Sequence, residues 1–130
     1  MRYLTFDEIV KIHERMIEVF GGESGILSEN ALENCVAMPM MSIFGTETSS
    51  SLWSKAATLL LCIANRHPFV DGNKRTAWTA AKVFLRLNGF RLTTTPEDGE
   101  STVIGVVRGI IDQDDLADWI RNNSEPVQSN

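Results

Sequence analysis

The amino-acid sequence predicts an all-α fold, and three stretches of the chain lead to this prediction. Thr5 and Glu8 form the pattern of a capping box in front of a helically spaced apolar stretch, which a Gly-Gly pair ends. Residues 52–66 are apolar on most sides, which is typical of a buried central helix. Residues 73–88 carry one apolar face and are followed by Gly89, a residue type common just beyond helix ends.

The other predicted elements are shorter and are marked mainly by capping and stop residues. Ser28 is suited to cap a second helix, which Pro39 ends. Residues 90–95 are expected to be extended, and residues 96–109 to form a weaker helix. Asp112 is expected to cap a last helix.

Two segments lack a regular pattern. Residues 38–51 mix apolar side chains with a polar, turn-like run, which predicts a short flap, flexible or β-like, before the central helix. Residues 124–130 are expected to be a disordered tail. Residues 1–123 are then expected to form a single domain, because nothing in the sequence marks a linker or a repeat.

Charge is unevenly distributed along the chain. The formal net charge of −5 argues against direct nucleic-acid binding, which usually requires a basic surface. Half of the Lys and Arg residues nevertheless lie between Arg66 and Arg91, where Asp71 is the one acidic residue. A local positive region in an acidic protein favours a small anionic ligand.

The sequence also predicts a cytoplasmic protein without a membrane segment. The N-terminal residues lack the pattern of a signal peptide, and the longest apolar run is far shorter than the ~20 residues that span a bilayer. Cys35 and Cys62 lack the number and spacing of a disulfide framework or a zinc site. We interpret both as reduced thiols.

The segment from His67 to Arg75 concentrates residues that carry chemistry. One helix is predicted to end there and another to begin, so the free backbone N–H groups and the dipole of the second helix favour an anion. Gly72 allows a ligand to approach the backbone closely. Lys74 and Arg75 add positive charge, and an Arg can bind phosphate oxygens bidentately.

Asp71 and His67 complete this pattern. An acidic residue opposes anion binding unless it holds Mg²⁺, which commonly binds one or two carboxylates together with substrate phosphates. His67 can act as a general base. Each residue alone has a structural interpretation, such as a helix cap for Asp71, but their density in one short segment favours a phosphoryl- or nucleotidyl-transfer site.

The segment resembles the signature of the Fic/Doc superfamily, H-x-F-x-[DE]-[AG]-N-x-R. The matching residues are His67, Phe69, Asp71, Gly72, Asn73 and Arg75. Further stretches, among them residues 84–90, are similar to the death-on-curing (Doc) branch, so the resemblance covers nearly the whole chain. It implies a compact helical bundle of the Fic/Doc type.

The resemblance implies roles for the reactive residues of the motif. His67 would deprotonate the hydroxyl of a target side chain. Asp71 would bind Mg²⁺ on the phosphates of ATP, and Arg75 would hold phosphate oxygens.

The remaining motif residues would shape the loop. The backbone around Gly72, Asn73 and Lys74 would form an anion hole. Asn73 would orient the loop or a phosphate, and Phe69 would anchor the loop in the core.

The flap and a partner protein would complete the site. The flap would align the backbone of the protein substrate as an added strand. Its residues are Met41, Ser42, Ile43, Phe44 and Gly45. Some Fic proteins inhibit themselves with a motif that residues 93–98 do not match, so the resemblance implies inhibition by a separate antitoxin protein.

Lys74 and Trp78 distinguish two branches of the superfamily. Fic proteins that transfer AMP usually have Gly and Arg at these two positions. The resemblance to Doc therefore implies a toxin that transfers the γ-phosphate of Mg-ATP to a threonine of elongation factor Tu and so inhibits translation. Two alternatives stay open, namely AMP transfer to a protein hydroxyl by the same residues, and a catalytically idle module that binds a partner.

Other conspicuous residues are assigned to the structure and not to chemistry. His13, on the first helix, is interpreted as a surface or boundary residue. Trp78 departs from the Leu usual in Doc and is expected to lie in the core or to border the pocket, with the core favoured. Met38, Met40 and Met41 could form an adaptable binding patch, but they are expected instead to cover the core.

Overall fold

A computed structural model describes residues 1–43, 46–47 and 51–128 of the chain. In these ranges the prediction of an all-α fold is confirmed, because helices dominate and the strands are very short. The helices are α1 (Phe6–Phe20), α2 (Glu29–Ala37), α3 (Leu52–Arg66), α4 (Asn73–Leu87), α5 (Pro96–Val107) and α6 (Gln113–Asn122). The strands are β1 (Ser42–Ile43), β2 (Thr46–Glu47), β3 (Phe90–Leu92) and β4 (Ser124–Pro126).

Most helices begin where a side chain caps their first backbone N–H groups. Thr5 Oγ1 accepts from Glu8 N at 3.2 Å, and Glu8 Oε1 accepts from Thr5 N at 3.0 Å, so the predicted capping box is confirmed. The same type of bond starts α2, α3, α5 and α6, with the caps Ser28, Ser51, Thr95 and Asp112. The exception is α4, whose N-cap is Gly72, a residue without a side chain.

The central helix α3 organises the core. Its residues from Lys55 to Leu60 are all buried, and the helix packs chiefly against α4 and α6, as its apolar sequence predicts. Lys55 is 1% exposed, and its Nζ donates to the carbonyl oxygen of Pro39 at 2.7 Å. This bond holds the 3₁₀ turn Met38–Met40, the first part of the predicted flap segment, against α3. No helix in the described ranges has the length and apolar character that a bilayer span requires.

The segment after α6 is partly ordered, which corrects the prediction of a disordered tail. Ser124–Pro126 pairs with Phe90–Leu92 as an antiparallel ladder, and the backbone N of Val127 donates to Gly89 O at 2.8 Å. Arg91 and Glu125 also form an ion pair across these strands. The sequence Ser-Glu-Pro has no strand preference, so the ladder exists only because β3 offers an unpaired edge. The last two residues lie outside the described part of the chain.

The two cysteines are paired, so their interpretation as separate reduced thiols is wrong. A disulfide joins Cys35 of α2 to Cys62 of α3, with 5.3 Å between the Cα atoms. That Cα separation is usual for a disulfide. Both residues belong to the buried core, where α2 and α3 face each other. The two cysteines lie 27 residues apart in the sequence, and no local pattern indicates that they are in contact.

Trp78 of α4 packs against α5 and α6, which favours the core interpretation over a place at the pocket. Its ring lies 6.0 Å from that of Trp119, centroid to centroid. The ring also covers Gly99, where an added Cβ would lie 2.5 Å from Trp78 Cζ2. Gly99 is therefore required by the close approach of the indole.

We expect Gly99→Ala to destabilise the fold by about 1–3 kcal/mol, because the added methyl group overpacks the contact with the indole. Gly105→Ala in the same helix is the matched control, since its Cβ would meet the flexible end of Ile111, at 2.7 Å from Cδ1. Both substitutions gain the same helix propensity, up to ~1 kcal/mol. Urea unfolding of the two variants measures the difference, and equal stability would contradict the packing argument.

Candidate active site

The loop between α3 and α4 begins and ends with left-handed backbone. His67 ends α3 with φ 49° and ψ 59°, and Gly72 precedes α4 with φ 74°. The left-handed conformation is rare for a residue with a Cβ and is usually maintained by surrounding contacts. His67 is exposed, so the turn that ends α3 presents its imidazole to solvent.

Asn73 closes this loop on itself. Its Oδ1 accepts from the backbone N of Phe69 at 3.0 Å, and its Nδ2 donates to Phe69 O at 2.9 Å. Both bonds are buried, and the Phe69 side chain is 1% exposed. Without the amide, two buried backbone groups would lose their partners, at a cost of about 1–3 kcal/mol each. Asn73 is expected to orient either the loop or a phosphate, and these two hydrogen bonds agree with the first role.

His13 of α1 supports the loop from below, so its interpretation as a surface or boundary residue is wrong. It is 2% exposed, and its ring stacks on that of Phe69 with centroids 3.8 Å apart and planes at 3°. Its Nε2 lies 2.8 Å from the backbone oxygen of Asp71. One signal was available, because His13 follows Ile9 by four residues and so shares its buried face of the helix.

The segment between α1 and α2 forms the outer wall of the loop. Leu27 N and Ser28 N both donate to Pro68 O, at 2.8 and 3.0 Å. Val70 N donates to Gly25 O at 3.0 Å. No local pattern in residues 22–28 of the sequence indicates which residues this segment contacts.

Asp71 is held by backbone N–H groups from two sides. Its Oδ2 accepts from Glu23 N at 3.2 Å, and its Oδ1 accepts from Gly72 N at 2.9 Å. The bond from Glu23 N, followed by that from Gly72 N, lowers the pKa of the Asp71 carboxyl below its usual value. The side chain is exposed and is therefore an ionised carboxylate at neutral pH.

The first turn of α4 collects positive charge. Lys74 and Arg75 are both exposed there, at the helix end where the dipole disfavours cations. The Arg75 guanidinium carbon lies 4.1 Å from the centroid of the exposed Phe20 ring, a cation–π contact that sequence analysis did not anticipate. The N-cap residue, Gly72, has no side chain that could accept from the first backbone N–H groups of α4. This end of the helix is therefore suited to bind an anion.

The predicted flap is described only in part. Ser42–Ile43 and Thr46–Glu47 form a short antiparallel pair, so the β-like interpretation is confirmed for these residues. Phe44 and Gly45 lie outside the described residues. Met38 packs against the core as expected, whereas Met40 and Met41 are 47% and 48% exposed, so the expectation is wrong for these two residues.

Comparison with known proteins agrees with the fold. Residues 3–85 match the family model described as the Fic/DOC family. The matched range includes α1, the wall segment, α3 and nearly all of α4, and thus every residue of the loop described above. The chain belongs to the Fic/DOC family.

Two curated relatives are named as Doc proteins. "Protein kinase doc" of Escherichia phage P1 is 32% identical over 121 residues, which cover 93% of this chain and 94% of that protein. "Toxin Doc" of Mycolicibacterium smegmatis is 47% identical over 73 residues, which cover 56% of each chain. The match to the second protein therefore spans little more than half of its length.

We expect Gly22→Ala to disturb the Asp71 carboxylate, because its added Cβ would lie 2.8 Å from Asp71 Oδ2. Gly21→Ala is the matched control. Both glycines have positive φ, 83° at Gly21 and 113° at Gly22, but a Cβ at Gly21 would meet nothing within 4 Å. A positive φ imposes backbone strain of ~1–3 kcal/mol on an Ala at either position. Thermal unfolding should show a larger loss for Gly22→Ala. An equal loss would mean that backbone strain alone determines the effect.

Proposed function

We propose that this chain is a Doc-type toxin that transfers the γ-phosphate of Mg-ATP to a Ser or Thr hydroxyl of a translation factor similar to elongation factor Tu. One observation carries the proposal. A helix start without a side-chain cap adjoins an exposed His, an ionised Asp and two exposed cations, all within residues 67–75. These are the parts that phosphoryl transfer requires, namely a base, a metal ligand and an anion site.

Asp71 is the proposed ligand of Mg²⁺. Its carboxylate is exposed and ionised, and Mg²⁺ prefers such oxygens together with those of a nucleotide. In the described part of the chain, no group of three or more His, Cys, Asp or Glu side chains could hold a metal ion. A site shared between Asp71 and the phosphates of ATP agrees with this composition.

The start of α4 is the proposed phosphate site. Its backbone N–H groups and dipole favour the anion, and the exposed Lys74 and Arg75 add positive charge beside them. Gly72 N donates to Asp71 Oδ1 in the structure, and it would be available to phosphate if that carboxylate bound Mg²⁺ instead. The nucleotide would thus replace the internal partner of this N–H group.

His67 is the proposed general base. Its imidazole accepts the proton of the target hydroxyl, the hydroxyl oxygen bonds to the γ-phosphorus, and the bond from that phosphorus to the bridging oxygen of ADP breaks. The exposed position of His67 allows a protein substrate to reach it. Met41, Ser42, Ile43, Phe44 and Gly45 would dock that substrate.

The relatives' names support the biological part of the proposal. One is called a toxin and the other a protein kinase. We therefore propose that the chain is inhibited by an antitoxin protein, and that both act in the cytoplasm, the location that the sequence predicts. Leu27 and Val70, which are 66% and 44% exposed beside the loop, offer apolar contacts for that protein.

We expect purified protein with Mg²⁺ and a translating bacterial extract to transfer label from γ-labelled ATP, and none from α-labelled ATP, to one protein band. His67→Ala should lower the rate by about 10²–10⁴-fold, the usual contribution of a general base. Asp71→Asn should abolish activity at every Mg²⁺ concentration, because the ionised ligand is lost. Arg86→Ala, at the opposite end of α4, is the matched control and should keep full activity.

The pattern of label identifies the alternatives. Label from the α position would assign the chain to AMP transfer, which uses the same residues with the nucleotide reversed. If no label is transferred and calorimetry detects no Mg-ATP binding, the chain is a partner-binding module. Full activity of His67→Ala would contradict the role of the base.

A further inference from the structure

His13 is a buried polar residue that none of the proposed steps uses. Its only described bond is the one between Nε2 and the backbone oxygen of Asp71, at 2.8 Å. A carbonyl oxygen can only accept, so Nε2 carries the proton and donates. The stacked Phe69 ring fixes the plane of the imidazole and thus the direction in which that N–H points.

The hydrogen bond from His13 is made to the peptide group between Asp71 and Gly72. The C=O of Asp71 and the N–H of Gly72 belong to the same planar trans peptide and point in opposite directions. A carbonyl held toward α1 therefore turns the N–H away from α1, where it donates to Asp71 Oδ1 at 2.9 Å. Gly72 restrains this peptide little by itself, because glycine has wide backbone freedom.

We propose that His13 is a positioning residue that fixes the Asp71–Gly72 peptide and thereby orients both the carboxylate and the anion-binding N–H of the site. The inference rests on the proposed function for its effect on catalysis. Its structural part, the direction of one peptide group, is independent of any ligand. A histidine that merely filled space in the core would have no such effect.

Two substitutions separate the hydrogen bond from the packing. His13→Phe keeps a flat ring for stacking on Phe69 and removes the donor. His13→Gln keeps an N–H donor of similar reach and removes the ring. Ile9→Val, one turn earlier on the same buried face of α1, is the control for a small loss of packing.

The first readout is the rate of phosphate transfer. We expect His13→Phe to lower kcat by tenfold or more, since displacing a catalytic group by ~1 Å can cost about 10²-fold. The half-saturating Mg²⁺ concentration should rise several-fold. His13→Gln should recover most of kcat, and Ile9→Val should leave both quantities unchanged although it lowers Tm.

The second readout needs no nucleotide. The backbone amide of Gly72 should change its ¹H and ¹⁵N chemical shifts strongly in His13→Phe, weakly in His13→Gln, and not at all in Ile9→Val. If His13→Phe does not fold, His13→Leu replaces it, because Leu also lacks a donor. The ligand-free spectra test the position of the peptide even if the wild type transfers no phosphate, an outcome that would contradict the proposed function alone.

Three results would overturn the inference. One is an unchanged Gly72 amide in a folded variant without a donor. Another is an active wild type from which His13→Phe differs by less than twofold in kcat and in Mg²⁺ dependence. The third is a loss of kcat in His13→Gln as large as that in His13→Phe, because an N–H donor at position 13 would then not restore the site.

Discussion

The pair of hydrogen bonds between the Asn73 side chain and the Phe69 backbone is the constraint on which the site depends. It closes the loop over four residues and buries the Phe69 ring beneath it. The loop can then reverse direction between α3 and α4 without leaving backbone groups unsatisfied in the core. His67 and Asp71, on either side of Phe69, are exposed because the residue between them is anchored.

The rest of the loop is held from outside the motif. His13 and the segment at residues 22–28 belong to the first quarter of the chain, yet they bond to Pro68, Val70 and Asp71. The motif therefore contributes His67 and Asp71, whereas α1 and the wall segment hold the loop that carries them. Two backbone N–H groups stabilise the charge of Asp71, which lies at a helix end where the dipole also favours an anionic side chain.

Local signals account for what could be predicted. The bounds of α3 were predicted because apolar pattern and turn residues lie within the segment itself, and Thr5, Ser28 and Asp112 act as caps on adjacent N–H groups. Long-range pairings could not be predicted. His13, the Cys35–Cys62 bond and the ladder formed by Ser124–Pro126 each depend on a partner at least 27 residues away, which no local pattern identifies.

The wall formed by residues 22–28 has a consequence for the order of folding. Its contacts with the loop join positions separated by at least 40 residues, and such contacts form only after the intervening chain has been arranged. A partly folded chain in which α3 and α4 are docked, but α1 is not, already contains every residue of the motif. It lacks the bonds that hold Asp71 from α1 and from Glu23. The arrangement of Asp71 seen in the structure is therefore acquired late, when the two ends of this long contact meet.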